Sequence, residues 1–434
     1  MKLKSYLEMT REELEAEKQE LEQEFDKIKA LALDLNLTRG KPSPQQLDLS
    51  MGMYDIISSK SVLRTEAGTD CRNYGSLDGI DEAKRLMAGF MDCREDQVIV
   101  HGNASLSIMY DTIARAMIHG VLGSTPWCRL DKIKFLCPVP GYDRHFAITQ
   151  YFGIEMVNVP MTKTGPDMDL VEQLVSKDAA VKGIWCVPKY SNPQGITYSD
   201  ETVRRFAALK PAAPDFRIYW DNAYAVHDLY EDDRDELLPI MQECEKAGSQ
   251  DMVYEFCSTS KVTFSGAGIS AMGMSQKNRD DMLKQMSVQT IGHDKIKQWT
   301  HTRYLKNMDG VRAHMAKHAA IIRPKFEAVG QVLSAEIAPR GIGTWIQPKG
   351  GYFICFESLK GCAKAIVAKA KEAGISLTAA GAPFPYRIDP DDTIIRIAPT
   401  FPDLEEMKQA AEVFACCVRL VSVENLLLKT APHS

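Results

Sequence analysis

The sequence predicts an α/β protein: a large domain on a mostly parallel sheet, joined to a smaller α+β domain. Between about residues 90 and 290, short apolar runs recur with helical patterns between most of them. Strands buried on both faces read as continuous apolar runs, and their alternation with helices marks a parallel sheet. After Asp294 the pattern changes to a long helical stretch followed by short strands mixed with two helices. These observations divide the 434 residues into a large domain over 60–295 and a small one built from 1–59 and 296–434.

The elements follow in order. A capping Thr10 and the spacing of Leu14, Leu21, Phe25 and Ile28 predict an amphipathic helix to about Leu31. The Pro- and Gly-rich segment Thr38–Pro44 then excludes helix. The apolar runs Gln97–Val100, Lys134–Val139, Glu155–Pro160, Val181–Val187, Phe216–Trp220 and Val253–Cys257 are the expected strands of the sheet. Helices are expected at Ser105–Gly120, Asp167–Ser176 and Asp200–Leu209. Helix to about Ala335, strands at Thr344–Gln347, Gly351–Glu357 and Ile394–Ala398, and helices at Cys362–Ala373 and from Asp403 complete the small domain.

Composition narrows the function. A net charge of −6 offers no basic field for phosphate backbones, so nucleic acid is not an expected partner. The eleven cysteines are scattered, never spaced C-x-x-C and mostly set in apolar runs, as expected of reduced thiols in a cytoplasmic protein. The N-terminal residues lack an apolar signal region and no stretch is long enough to span a bilayer, so neither secretion nor membrane insertion is expected.

In an open α/β sheet, ligands bind beyond the carboxyl ends of the strands. The polar residues after each expected strand converge on one cofactor, pyridoxal 5′-phosphate (PLP). Asn103-Ala104-Ser105 opens a helix and can offer backbone N–H groups and a hydroxyl to a phosphate. Tyr142 can stack on a planar ring, and Asn192 presents an amide. Asp221 can keep a pyridine nitrogen protonated, which makes the ring an electron sink. Tyr224 and Asn192 can stabilise the 3′ oxygen as an oxyanion. Lys261, after Ser258-Thr259-Ser260, supplies the amine for a Schiff base and then a general base.

Asn73-Tyr74-Gly75, Ser191–Gly195, Asp221–Tyr224, Ser258–Lys261 and Ile395–Pro399, in this order, resemble the class I, fold-type I PLP-dependent aminotransferases. More narrowly, Leu37–Pro42, Pro138–His145 and Val187–Pro193 look like a bacterial aspartate aminotransferase subgroup related to MocR-type proteins. The resemblance runs from about Leu37 to Phe414. It implies a sheet of the seven-stranded type, and a homodimer with shared active sites in which Tyr74 reaches the neighbour's phosphate. It further implies that Arg396 grips the substrate α-carboxylate, that Gly40 admits backbone close to it, and that Tyr142 stacks on the ring. The implied reaction is a ping-pong transfer from an amino acid, aspartate, to a 2-oxo acid, 2-oxoglutarate. Arg39, Arg144, Lys189 and Arg387 are the candidates for a second carboxylate. One departure stands out: the family's phosphate-binding arginine, eight residues beyond the lysine, is here Ile269. Phosphate binding is then expected to lean on Ser105, Ser258, Ser260 or Ser265 and the helix N-terminus.

Simpler readings compete at several positions. Asn192–Gly195 is a good turn with no other task, Asp221 could cap a helix, and Arg396 could pair with a protein carboxylate. His314 and His318, at i and i+4, read as a solvated helical face with no third ligand, so no metal is assigned. Two other functions use the same residues: a PLP lyase or decarboxylase on this scaffold, and a PLP-sensing regulator without turnover. The second would need a DNA-binding domain, for which the residues before Leu37 leave no room.

Overall fold

The structure is a computed structural model that describes residues 4–38 and 40–429. Among them the strands run in chain order β1 Leu35–Leu37, β2 Val98–His101, β3 Lys134–Val139, β4 Glu155–Thr162, β5 Gly165–Pro166, β6 Val181–Cys186 and β7 Arg217–Asp221. They continue with β8 Val253–Ser258, β9 Ser270–Met274, β10 Gly343–Trp345, β11 Ile354–Ser358, β12 Ile375–Leu377 and β13 Ile394–Ile397.

The main sheet has the order β2-β9-β8-β7-β6-β3-β4-β5. From β8 through β7, β6 and β3 to β4 it is parallel, as the sequence predicts. Every residue of β2, β6 and β7 is buried, which explains their largely apolar character; the exceptions include Lys182 and Asp221, which have buried partners. Packing is tight enough that Gly183 in β6 cannot carry a side chain: a Cβ there would lie 2.4 Å from the Phe135 ring.

β9 is one of the strands that the sequence reading omits, with β1, β5 and β12. It runs antiparallel to both β8 and β2, so β2 points the same way as β8. The loops after β2, β3, β6, β7 and β8 therefore open along one edge. Its residues Ser270-Ala271-Met272-Gly273-Met274 have no β-branched or aromatic side chain, the usual mark of a strand. Gly273 is closely packed: a Cβ there would lie 3.3 Å from the Met91 sulfur and 3.5 Å from that of Cys93.

A second layer holds the antiparallel sheet β10-β11-β13 and the parallel pair β1-β12. Helix Arg11–Ala30, started by a capping box between Thr10 and Glu13, buries Leu14, Leu21 and Phe25 in this layer's core with helices Met308–Glu336 and Leu404–Lys429. The expected helix after Asp294 is broken into Lys295–Leu305 and Met308–Glu336, because Lys306 takes a left-handed φ of 64° and Asn307 caps the second helix. Nine of the eleven cysteines are buried, and all eleven are free thiols. No helix among the described residues is long and apolar enough to cross a membrane.

Away from the open edge, Lys182 and Asp215 form a buried pair at 2.6 Å, and the Trp127 indole donates to the same carboxylate at 2.8 Å. Asp215→Ala would leave a buried, unpaired ammonium. It should destabilise the fold by about 3–5 kcal/mol, measured by chemical denaturation; a loss below about 1 kcal/mol would contradict the account.

Candidate active site

Asp221, the last residue of β7, is 3% exposed. One carboxylate oxygen, Oδ2, lies 2.9 Å from His145 Nε2, and the other, Oδ1, is buried with no partner. His145 is held by stacking on Trp185, with centroids 4.5 Å apart and planes at 12°, and by the edge of Tyr142 at 4.8 Å. A buried carboxylate oxygen without a donor is costly, so the site is built for a donor that the described residues do not supply.

Lys261 follows β8, the neighbour of β7. Its Nζ lies 5.0 Å from the Tyr224 ring centroid and 5.9 Å from that of Tyr352. Burial lowers its pKa and nearby Asp221 opposes the shift, so the amine is neutral more readily than a surface lysine. Tyr224 is buried and its hydroxyl has no hydrogen bond among the described residues; burial, then the neighbouring Tyr142 and Asp221, raise its pKa. Burial, with Asp221 and Asp143 adding to it, pushes Tyr142 up to about 12.

Asn192 sits in the turn after β6, where Gly195 adopts φ 71° and donates to Ser191 O. Its Oδ1 accepts from Arg396 Nη1 at 3.2 Å, which leaves its Nδ2 unpaired among the described residues. Arg396, in β13, also donates from Nη1 to Asp143 at 2.9 Å and from Nη2 to Thr378 Oγ1 at 3.3 Å. Its guanidinium lies over the Phe353 ring at 4.9 Å. A Cβ on Gly40 would lie 2.5 Å from that ring, so Gly40 is where the chain passes close beneath the arginine's support.

At the end of β2, helix Ser105–His119 begins behind Ala104, whose side chain can make no cap, so its first N–H groups face the open edge. Asn103 donates to Ser265 O at 3.2 Å, and its own carbonyl accepts from Ser260 Oγ at 2.9 Å. Ser258 Oγ reaches Ser260 Oγ at 3.2 Å. The loop after β8 is thus tied to the helix N-terminus. Ile269 is buried in an apolar cluster with Val262 and Ala271.

Tyr74 stands apart, 80% exposed on a loop. Of the candidates for a second carboxylate, Lys189 is committed to Asp228 at 2.8 Å and to Ala225 O, Arg144 and Arg387 are exposed, and Arg39 lies outside the described residues.

The sequence reading misses several neighbours of the site. His145 and Asp143 lie in the motif Pro138–His145, but no local signal says which distant groups they meet. His314 and His318 are a correction: their face is buried, not solvated. Gln46 Nε2 bridges Tyr352 Oη at 3.0 Å and His318 Nδ1 at 3.1 Å, His318 Nε2 lies 3.2 Å from His314 Nε2, and His314 Nε2 lies 2.8 Å from Val262 O. The pair backs the lysine loop. His227, beside Lys261, is also buried, with both ring nitrogens unpartnered and its pKa lowered by burial and the lysine's charge.

Sheet, edge and site residues together define an aminotransferase of the PLP-dependent fold type I. The family model for aspartate aminotransferase matches residues 9–430, and the chain belongs to that family. It is 43% identical over 408 residues to an aspartate aminotransferase of Corynebacterium glutamicum, covering 94% of each chain. A crystal structure of an aspartate transaminase from C. glutamicum superposes with a TM-score of 0.94 at 42% identity, covering 98% of this chain and 100% of that one. An α-aminoadipate aminotransferase from Thermus thermophilus, complexed with N-(5′-phosphopyridoxyl)-L-leucine, shares the fold, with a TM-score of 0.72 at 17% identity over 91% of this chain and 93% of that one.

The buried histidines make stability pH-dependent. Burial lowers His318 and His301 from 6.5 to about 4. The unfolded chain therefore binds more protons than the folded one between these values. Stability is fully present above pH 6.5 and falls as pH drops towards 4, by up to about 1.4 kcal/mol per pH unit for each histidine. Denaturation midpoints between pH 7 and 5 should drop accordingly, and His318→Gln should flatten the slope; an unchanged slope would contradict the assignment.

Proposed function

We propose that the chain transfers the amino group of aspartate to 2-oxoglutarate, with PLP held along the open edge of the main sheet. The observation that carries this reading is the buried, unpaired Oδ1 of Asp221 one strand away from the neutral-leaning amine of Lys261. When bound, the cofactor supplies a protonated pyridine ring that takes up the electron pair left as the substrate's Cα–H bond breaks.

The chain's own residues do the rest. Asp221 Oδ1 holds the proton on the pyridine nitrogen, and His145 keeps the carboxylate in place. The Tyr224 hydroxyl and Asn192 Nδ2, both without partners among the described residues, would donate to the 3′ oxygen. Tyr142 covers the ring. The N–H groups of Asn103, Ala104 and Ser105, with the hydroxyls of Ser105, Ser258 and Ser260, receive the phosphate. Lys261 Nζ would hold the cofactor, and its free amine would serve as the base that moves the proton at the substrate's Cα, a task suited to an amine whose pKa burial has lowered. Arg396 anchors the α-carboxylate beside Gly40 and Asn192.

The reading also comprises the two domains 60–295 and 1–59 with 296–434, cytoplasmic work, and a homodimer in which Tyr74 reaches the partner's phosphate. The exposure of that tyrosine, together with exposed Met51, Tyr54, Val62 and Ile291, supports the dimer. The motifs Pro138–His145 and Val187–Pro193 support a place beside the MocR-type proteins.

The purified protein should show a visible absorption band from bound PLP that bleaches with aspartate and returns with 2-oxoglutarate. Lys261→Ala should lose this response, and Asp221→Asn should cut kcat by at least about 100-fold. No band after PLP is supplied would sink the cofactor assignment; a band indifferent to aspartate would sink only the substrate.

A further inference from the structure

We propose that Asp143 is a resident carboxylate that occupies Arg396 until the substrate's α-carboxylate displaces it, and thereby sets how tightly substrates are held. The inference rests on the reading of Arg396 as the carboxylate anchor.

A guanidinium has five N–H donors. Arg396 spends both Nη1 donors, on Asp143 Oδ1 at 2.9 Å and Asn192 Oδ1 at 3.2 Å, and one Nη2 donor on Thr378 Oγ1 at 3.3 Å. Nε is buried without a partner, and Nη2 keeps one donor. A carboxylate gripped end-on by both terminal nitrogens needs one N–H from each, and Nη1 has none to give. For that end-on grip one of the two Nη1 acceptors must leave.

The two acceptors are unequal. Asn192 is 4% exposed and fixed in the turn after β6. The Asp143 side chain is 36% exposed, against 7% for Arg396. Asp143 is also the first residue of helix Asp143–Tyr151, so a carboxylate that turns outward to water stays stabilised at the helix's positive end. Asp143 is therefore the group that exchanges. In the free protein it keeps a buried guanidinium from standing unpaired. The consequence falls on affinity, because an incoming carboxylate gains only the difference between two similar ion pairs.

Asp143→Asn keeps an acceptor for Nη1 and removes the charge; Asp143→Ala removes both. In each variant the KM values for aspartate, 2-oxoglutarate and alanine, and the calorimetric Kd for unreactive succinate, should fall at least about fivefold. The factor should match for aspartate and alanine, since both carry an α-carboxylate. An orienting role predicts instead a wild-type KM in Asp143→Asn and a raised one in Asp143→Ala, and that result would overturn the proposal. So would a fall for aspartate alone, which would set Asp143 against the side-chain carboxylate. Arg396→Lys, measured alongside, separates the two layers: if it leaves every KM and the succinate Kd unchanged, the anchor assignment itself has failed.

Discussion

A carboxylate buried at the end of a central strand and satisfied on only one side is the feature around which this site is organised. Asp221 could not remain so in a plain core, where an unpaired ionised oxygen costs several kcal/mol. The fold tolerates it because His145 takes one oxygen and is itself clamped between Trp185 and Tyr142. Those rings belong to β6 and to the loop after β3, so the geometry of one carboxylate depends on the register of three parallel strands. Lys261 hangs from the next strand, and the same burial that makes the carboxylate costly makes the lysine readily neutral.

The second charged centre, Arg396, ties the layers together. Its strand belongs to the smaller antiparallel sheet, while two of its partners, Asp143 and Asn192, follow strands of the main sheet. The third, Thr378, follows β12, and Phe353 beneath the guanidinium precedes β11. The loop that returns from Thr378 is latched to the main sheet by Gly141 N–H to Pro383 O and by Met156 N–H to the Tyr386 hydroxyl. The position of the arginine relative to Asp221 is therefore set by contacts between layers rather than within either one.

Much of this was legible in the sequence, and the failures share a cause. β3, β6, β7 and β8 announce themselves because strands buried on both faces are apolar over most of their length. The lysine, the aspartate and the turn amide follow these strands directly, so strand ends alone bring them to one edge. β9 escaped because Ser270-Ala271-Met272-Gly273-Met274 holds no β-branched or aromatic residue, and Gly273 answers to the Met91 and Cys93 packed on it. His314 and His318 were read as solvated because their partners, Gln46, Tyr352 and the Val262 carbonyl, come from distant segments. Asp143 and Arg396 are separated by 253 positions, and no local pattern links them.

The departure at Ile269 then has a physical reading. Losing an arginine from a phosphate site removes a full charge, and dipoles must carry more of the load. Helix Ser105–His119 is started by alanine, a poor cap whose choice forgoes about 1 kcal/mol of helix stability. A serine or aspartate in its place would occupy the helix's first N–H groups itself. Alanine leaves the Ser105 and Leu106 N–H groups without a capping side chain, while Ser107 N–H turns back to Ala104 O at 3.1 Å, and the hydroxyls of Ser258 and Ser260, linked to Asn103, are drawn to the same end. In the proposed assignment a site without the arginine holds its phosphate by several fixed dipoles, and the uncapped helix is part of that arrangement.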